Sequence, residues 1–417
     1  MEKTLITAET VLPISSPPIK KGAVLLVNGR IKKIGKASKL KKAYKNIETL
    51  DLGKGILLPG FVNAHTHLEL GWTKKKIGQF SGFIGWLQDI IKAERGKAKR
   101  EEIERSVKEG IKTLIESGVT TVGEISSFGS DKPLLKKSGL RTVLFTELFD
   151  RYKDSWNISS FEKEETFEER PFPHALYSCS PAFLKNVLKF CQKEKIPLGI
   201  HIAESPDETM FVKGEENGFE KKILPMVGRE AFPREMANTP FQYLKGLKLF
   251  KGTKVTAVHM VQVLPEEVEE IRKYDLGIVL CPRSNFFLKV GSPPVKQYVK
   301  LKRIGIGTDG LSSNLNLDFF EELRFFYLTF GEELGEEAGY FTIYLATLGG
   351  ARALFLEDKT GSIEKGKEAD LIFLIPTHIY SNPYLSVISS CKNDVKLVMV
   401  KGKIVHSEMY SLYYPDE

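Results

Sequence analysis

Apolar residues recur along this chain in two rhythms. From residue 1 to 57 they form short runs broken by turn residues, as in Ala23-Val24-Leu25-Leu26-Val27 followed by Asn28-Gly29-Arg30. Asn-Gly between two such runs predicts a β-hairpin, because both turn residues must accept positive φ. The C-terminal stretch has the same texture: Asp370-Leu371-Ile372-Phe373-Leu374, then Val395 to Val400, then Gly402-Lys403-Ile404-Val405. The two ends, residues 1–57 and 356–417, are therefore expected to combine into one small β domain. Between them, in residues 58–355, strand-like runs alternate with helical ones. Candidate strands are 57–64, 119–125, 142–149, 173–179, 197–203, 255–261, 277–281 and 304–308. Segments 100–117, 181–195 and 264–273 carry helical spacing, and Ser180-Pro181 makes a good helix start. Eight strands alternating with helices predict an α/β fold built on a (β/α)8 barrel. A doubly wound sheet fits less well, because no Gly-rich phosphate turn follows the first strand.

Composition narrows the class. With 417 residues, 42% hydrophobic and 27% charged, the chain can bury a sizeable core. The net charge of +8 comes from lysine patches such as Lys32-Lys33, Lys39 to Lys45 and Lys74-Lys75-Lys76, which read as solvated surface. No aromatic-interleaved basic stripe points to nucleic acid. The mild positive field would favour an anionic small molecule. Cys179, Cys191, Cys281 and Cys391 have no CxxC spacing and suggest reduced thiols. The first residues lack a signal-peptide apolar stretch, and no apolar run is long enough to span a bilayer. A cytoplasmic protein without membrane contact is expected. A homo-oligomer stays open.

The candidate chemistry lies at the ends of the apolar runs. His65-x-His67 closes the first, and alternation along a strand points both imidazoles to one face. His201, His259 and Asp309 stand near the ends of later runs. Four of the seven histidines belong to this series, which makes a metal site the leading reading. A lone histidine in an apolar run, such as His259, is more often a core residue; the ordered set carries the argument. Barrels place their chemistry at the C-terminal strand ends, where these residues fall. Nitrogen and oxygen donors of this kind suit Zn, Fe and Mn alike.

Six motifs then carry a resemblance. They are Pro59-Gly60-Phe61-Val62-Asn63-Ala64-His65-Thr66-His67, His201-Ile202-Ala203-Glu204, Val258-His259, Cys281-Pro282-Arg283-Ser284-Asn285, Gly307-Thr308-Asp309-Gly310 and the stretch from Gly361 to Leu371. In this order the chain resembles the amidohydrolase superfamily. It is most similar to the branch of deaminases acting on adenosine-like compounds, including methylthioadenosine, S-adenosylhomocysteine and aminodeoxyfutalosine. The resemblance implies a distorted (β/α)8 TIM barrel with a small β-sandwich. It implies one divalent ion, Zn or Fe, held by His65, His67, His201 and Asp309. Binuclear relatives use a bridging lysine, but the matching stretch, His174 to Ser180, has none.

In the same relatives the residue matching Glu204 shuttles a proton from water to the ring nitrogen. His259 and Asp309 orient the hydroxide and stabilise the adduct. Glu204 lies three residues beyond His201, so on an ideal strand the two would face opposite ways; the chain must turn between them. A noncatalytic binding protein on this scaffold would be expected to lack one of these residues, and none is missing.

For the substrate, the resemblance implies ribose contacts from His174 and from a first-loop glutamate, for which Glu69 is the candidate. Trp86, with Phe80 and Phe83 beside it, would cover a planar ring. Arg151 and Arg283 are candidates for a carboxylate anchor, since guanidinium matches a carboxylate with two parallel hydrogen bonds. A purine nucleoside bearing a carboxylate would use such an anchor. The expected reaction is therefore 6-aminodeoxyfutalosine to futalosine plus ammonia, in menaquinone biosynthesis. The rivals are adenosine, methylthioadenosine or S-adenosylhomocysteine, and a mononuclear chlorohydrolase-like ring hydrolysis.

Overall fold

The computed structural model describes residues 2–78, 81–96, 98–150 and 161–408. Five strands open the chain: β1 (Lys3–Val11), β2 (Ile19–Val27), β3 (Arg30–Lys36), β4 (Glu48–Asp51) and β5 (Ile56–Pro59). Asn28 and Gly29, with φ of 49° and 72°, form the expected turn between β2 and β3. Eight strands follow: β6 (Phe61–Thr66), β7 (Val119–Ser126), β8 (Arg141–Leu148), β9 (Phe167–Pro173), β10 (Leu198–Ile202), β11 (Val255–His259), β12 (Gly277–Leu280) and β13 (Ile304–Ile306). The chain ends with β14 (Leu371–Leu374), β15 (Val395–Val400) and β16 (Lys403–Ser407).

Both chain ends meet at β5, which pairs in parallel with β1 and antiparallel with β14. The resulting sheet runs β16-β15-β14-β5-β1-β2-β3, with β4 on β1. Alternate residues of these strands, such as Ile6, Val24, Leu57, Leu371 and Phe373, share one buried cluster. The middle eight strands form two parallel halves, β6 to β9 and β10 to β13. One seam between the halves closes where Ala175 bridges His201. At the other, Asn63 and Thr308 exchange two buried hydrogen bonds, of 2.8 and 3.0 Å. The result is a barrel whose C-terminal rim carries the polar residues singled out above.

Two strand expectations change. The run 57–64 is two strands, because Gly60 interrupts it: a Cβ there would collide with Thr120, so the chain crosses from the terminal sheet into the barrel at this point. The fourth barrel strand is Phe167–Pro173, not 173–179. Two prolines and Glu168-Glu169-Arg170 disguise it in the sequence. Arg170 is nevertheless buried, because Glu168 Oε1 (3.0 Å) and the carbonyl of Leu354 (2.8 Å) accept its hydrogen bonds. The apolar residues of 173–179 line the turn before the helix Pro181–Glu194, which Ser180 caps by accepting from Phe183 N.

The terminal sheet is locked to the barrel by charge. Arg141 at the start of β8 donates to Asp370 (2.7 Å) and Glu368 (2.5 Å), and all three side chains are at most 2% exposed. Among the described residues, no helix is long and apolar enough to cross a membrane.

Candidate metal centre and the cavity above it

His65 and His67 stand at the end of β6, His201 in β10, His259 at the end of β11, and Asp309 three residues past β13. Parallel strands converging on one rim bring them together. His65 Nε2 and His67 Nε2 lie 3.5 and 3.6 Å from Asp309 Oδ1. The candidate ligand atoms of His65, His67 and Asp309 lie within 4.8 Å of one another, as do those of His65, His201 and His259.

The donor set fits a divalent cation. His65 Nε2 is buried without a hydrogen-bond partner, a costly state beside a carboxylate unless something positive sits there. Burial, with the neighbouring imidazoles, pushes His67 down to about 3 and His201 well below its ordinary value, so both are neutral donors. His201 Nδ1 lies 3.1 Å from the carbonyl of His174, which can only accept, and this leaves Nε2 as the lone-pair nitrogen. Burial acts to raise Asp309, but its pairing with the imidazoles of His65 and His67 holds it well below the usual range. Its carboxylate is oriented by Ser284 Oγ (2.6 Å), Ser313 Oγ (2.8 Å) and Gly310 N (2.9 Å).

Ala203, His259 and Asp309 all take positive φ, at 55°, 75° and 56°. Each such residue costs about 1–3 kcal/mol and persists only where the surroundings enforce it. Three of them at neighbouring strand ends mark the rim as a built site. At Ala203 the strain produces the turn that the spacing of His201 and Glu204 requires. Glu208 clamps that turn, accepting from Ala203 N at 2.9 Å and Glu204 N at 2.8 Å. Glu204 then reaches His259, with Oε1 3.4 Å from Nε2. His259 Nδ1 meets Asn285 Oδ1 at 3.1 Å. Burial, then the charges of Asp309 and Glu208, raises Glu204 well above the ordinary carboxylate value, so it holds a proton readily.

A cavity opens above this cluster, lined in part by His67, His201, Glu204, His259 and Asp309. Trp86 forms part of its wall, anchored by Nε1 to the carbonyl of Ser312 at 2.9 Å. His174 also lines it, stacked on Phe149 at 4.8 Å and hydrogen-bonded through Nδ1 to Ser178 Oγ at 2.8 Å. Two substrate-side expectations do not place there. Glu69 is fully buried, and its carboxylate accepts from the backbone N–H of Ser127, Phe128, Ser130 and Asp131; it anchors that loop instead. Arg283 points to Asn316 (3.2 Å), with Glu322 at 3.9 Å, away from the cavity. Arg151 lies outside the described residues.

Sequence reasoning missed Glu94, Glu147 and Arg229, which do line the cavity. Glu94 was within reach: it stands eight residues after Trp86 on the helix Gly82–Arg95, a spacing that shares a helix face. Glu147, in β8, accepts from Ser127 Oγ at 2.6 Å and lies 3.9 Å from His174 Nε2.

A (β/α)8 barrel with imidazoles and a carboxylate gathered at its C-terminal rim, and a proton-holding glutamate above them, defines a metal-dependent barrel hydrolase. The chain belongs to the amidohydrolase family, which it matches over residues 56–405, and is a hydrolase acting on carbon–nitrogen bonds. It is 30% identical to a 5-methylthioadenosine/S-adenosylhomocysteine deaminase of Moorella thermoacetica, over 97% of this chain and 94% of that one. Among solved structures it is similar to the aminofutalosine deaminase of Helicobacter pylori bound to methylthio-coformycin (TM-score 0.83, 24% identity, 97% and 100% of the two chains). It is also similar to a zinc-bound adenosine deaminase of Xanthomonas campestris (TM-score 0.79, 24% identity, 96% and 92% covered). At these identities the structural likenesses establish the fold.

Proposed function

We propose that this protein is a hydrolytic deaminase of an adenine nucleoside, converting 6-aminodeoxyfutalosine to futalosine and ammonia in menaquinone biosynthesis. The observation that carries the deaminase reading is the Glu204–His259 pair, 3.4 Å apart, directly beside the His/Asp cluster on the floor of one cavity. His65, His67, His201 and Asp309 would hold one divalent ion, Zn or Fe. When bound, such an ion supplies Lewis-acid activation of water near neutral pH.

The protein's own residues then divide the work. Glu204 takes a proton from the attacking water and delivers it to the purine ring nitrogen, a transfer worth roughly 10²–10⁴-fold. His259 and Asp309 hold the attacking oxygen against the amine-bearing carbon. The adduct's hydroxyl proton then passes to the exocyclic amine, the carbon–nitrogen bond breaks, and ammonia leaves an oxo group on the ring. Trp86 covers the ring and excludes water. His174 and Glu94 take the ribose, Glu94 in the role first expected of Glu69. The cysteines are free thiols, Cys179, Cys191 and Cys281 buried, in keeping with a cytoplasmic enzyme.

A neutral nucleoside such as methylthioadenosine is the second reading. The apolar cavity residues Ile223, Leu224 and Val227 favour it, as does the name of the Moorella relative. The test is ammonia release by metal-replete protein from aminodeoxyfutalosine, adenosine, methylthioadenosine, S-adenosylhomocysteine, guanine and cytosine. Preference for aminodeoxyfutalosine supports the first reading and preference for methylthioadenosine the second. No ammonia from any of them would overturn both and turn attention to chlorohydrolase-like substrates.

A further inference from the structure

Among the described residues lining the cavity, Arg229 is the one arginine or lysine. It sits on the turn that ends the short helix Leu224–Met226, closed by Gly228 at φ 66° and by Arg229 N donating to Leu224 O at 2.9 Å. Among the described residues the guanidinium makes a single hydrogen bond, Nη1 to the carbonyl of Ser178 at 3.1 Å. Asp150 lies 3.8 Å from Nη2, beyond hydrogen-bond reach, and its Oδ2 is already engaged by Ser180 N at 3.2 Å. A guanidinium has five N–H donors. Among the described residues most of those on Arg229 have no acceptor, yet the side chain is only 23% exposed.

Its place along the cavity follows from a chain of contacts. His201 bonds the carbonyl of His174, His174 bonds Ser178 Oγ, and the carbonyl of Ser178 holds Arg229. Arg229 is thus two contacts further from the metal cluster than the proposed ribose contact. Leu224 and Val227, on its own turn, make the adjoining wall apolar.

We infer that Arg229 is the specificity-determining residue of a subsite for the 5′ arm of the nucleoside, built for an apolar arm that ends in a carboxylate. The inference rests on the deaminase reading. A ligand that fills the cavity strips water from the guanidinium, and donors left without acceptors are costly. A carboxylate supplies two acceptors in the geometry of the fork. A methylthio group supplies none, so it loses twice: no bond is gained and the cation is desolvated. Arg283, which the sequence suggested for this role, faces Asn316 instead.

The test pairs Arg229→Gln with wild-type protein on two ligands and two readouts. Calorimetric Kd for futalosine, which carries the carboxylate, is compared with that for inosine, which does not. The kcat/KM for aminodeoxyfutalosine is compared with that for methylthioadenosine. Arg229→Gln is expected to weaken futalosine binding and the first kcat/KM by roughly 10–100-fold, chiefly through KM, with inosine changed less than about threefold and methylthioadenosine unchanged or improved. Arg229→Lys, which keeps the charge but loses the fork, is expected to fall between. Equal losses on both ligands, or no loss on either, would overturn the carboxylate subsite while leaving the deaminase intact. Wild-type protein that releases ammonia from no nucleoside would instead overturn the deaminase reading and the subsite with it.

Discussion

Glu208 holds Glu204 in place through the backbone: its two carboxylate oxygens accept the N–H groups of Glu204 and of Ala203, at 2.8 and 2.9 Å. Glu208 is itself buried, and burial raises it to about 7, partly offset by these same bonds. On the proposed mechanism it is a positioning residue, since it meets the peptide that carries Glu204. Replacing Glu208 by Ala is expected to lower kcat by roughly 10–100-fold, the scale of a misplacement near 1 Å. Metal content should stay at the wild-type level, and Glu208→Gln, which keeps one acceptor, should recover part of the loss. Steady-state kinetics with parallel metal analysis decide it. Loss of metal in Glu208→Ala would reassign the residue to folding of the rim.

Glu204→Gln removes the proposed proton carrier while keeping size and burial. Bound metal is expected to remain, and turnover to fall by roughly 10²–10⁴-fold. Substantial turnover by a metal-loaded Glu204→Gln protein would sink the proton-shuttle assignment.

Arg141 neutralises two buried carboxylates, Asp370 and Glu368, across the junction of barrel and terminal sheet. Removing one partner of such a network strands charge in a dry interior, at a cost of about 3–5 kcal/mol. Arg141→Met should therefore shift the urea midpoint strongly downward, whereas Arg30→Met should move it little, since Arg30 is 52% exposed at the edge of the same network. Equal small shifts would show that the junction does not depend on Arg141.

Behind the metal cluster lies a second carboxylate group. Glu124 accepts from Leu68 N at 2.8 Å, while its Oε2 and Asp131 Oδ2 are both buried without a donor. A proton on Glu124 satisfies both oxygens. Burial, followed by the charges of Asp131 and Glu69, raises Glu124 well above 4.5; burial and Glu69 raise Asp131 to about 7. The folded state thus keeps protons that the unfolded chain has released, so this cluster loses stability as pH rises from the ordinary carboxylate range through about 7. Glu124→Gln mimics the protonated form. It is expected to melt higher than wild type at about pH 8, with the gap shrinking toward about pH 5. A gap that is flat or reversed with pH would refute the shared proton.

The barrel rim was legible because its signals are local. Strand alternation pairs His65 with His67, and the remaining candidate ligands end apolar runs that any barrel would place on one rim. Even the sharp turn after His201 followed from counting residues to Glu204. What brings it about, Ala203 in a left-handed conformation under the Glu208 clamp, depends on atoms five residues apart meeting in space. The substrate side was harder for the same reason. Glu69 and Glu94 both follow the first strand, and only packing decides that one carboxylate is consumed by four backbone N–H groups while the other reaches the cavity. Arg283 sits in a motif yet serves Asn316, whereas Arg229 sits in a connection with no motif at all. The strand at 167–173 was hidden because Arg170 is buried by pairing with Glu168, which hydrophobic rhythm does not register.

His174 contributes its side chain to the cavity and its carbonyl to His201. The carbonyl belongs to every amino acid, so replacing the side chain leaves the tautomer of His201 set as before. A change of side chain at position 174 therefore alters the cavity without disturbing the imidazole beside it. What lines the cavity and what orients His201 are thus separable at a single residue.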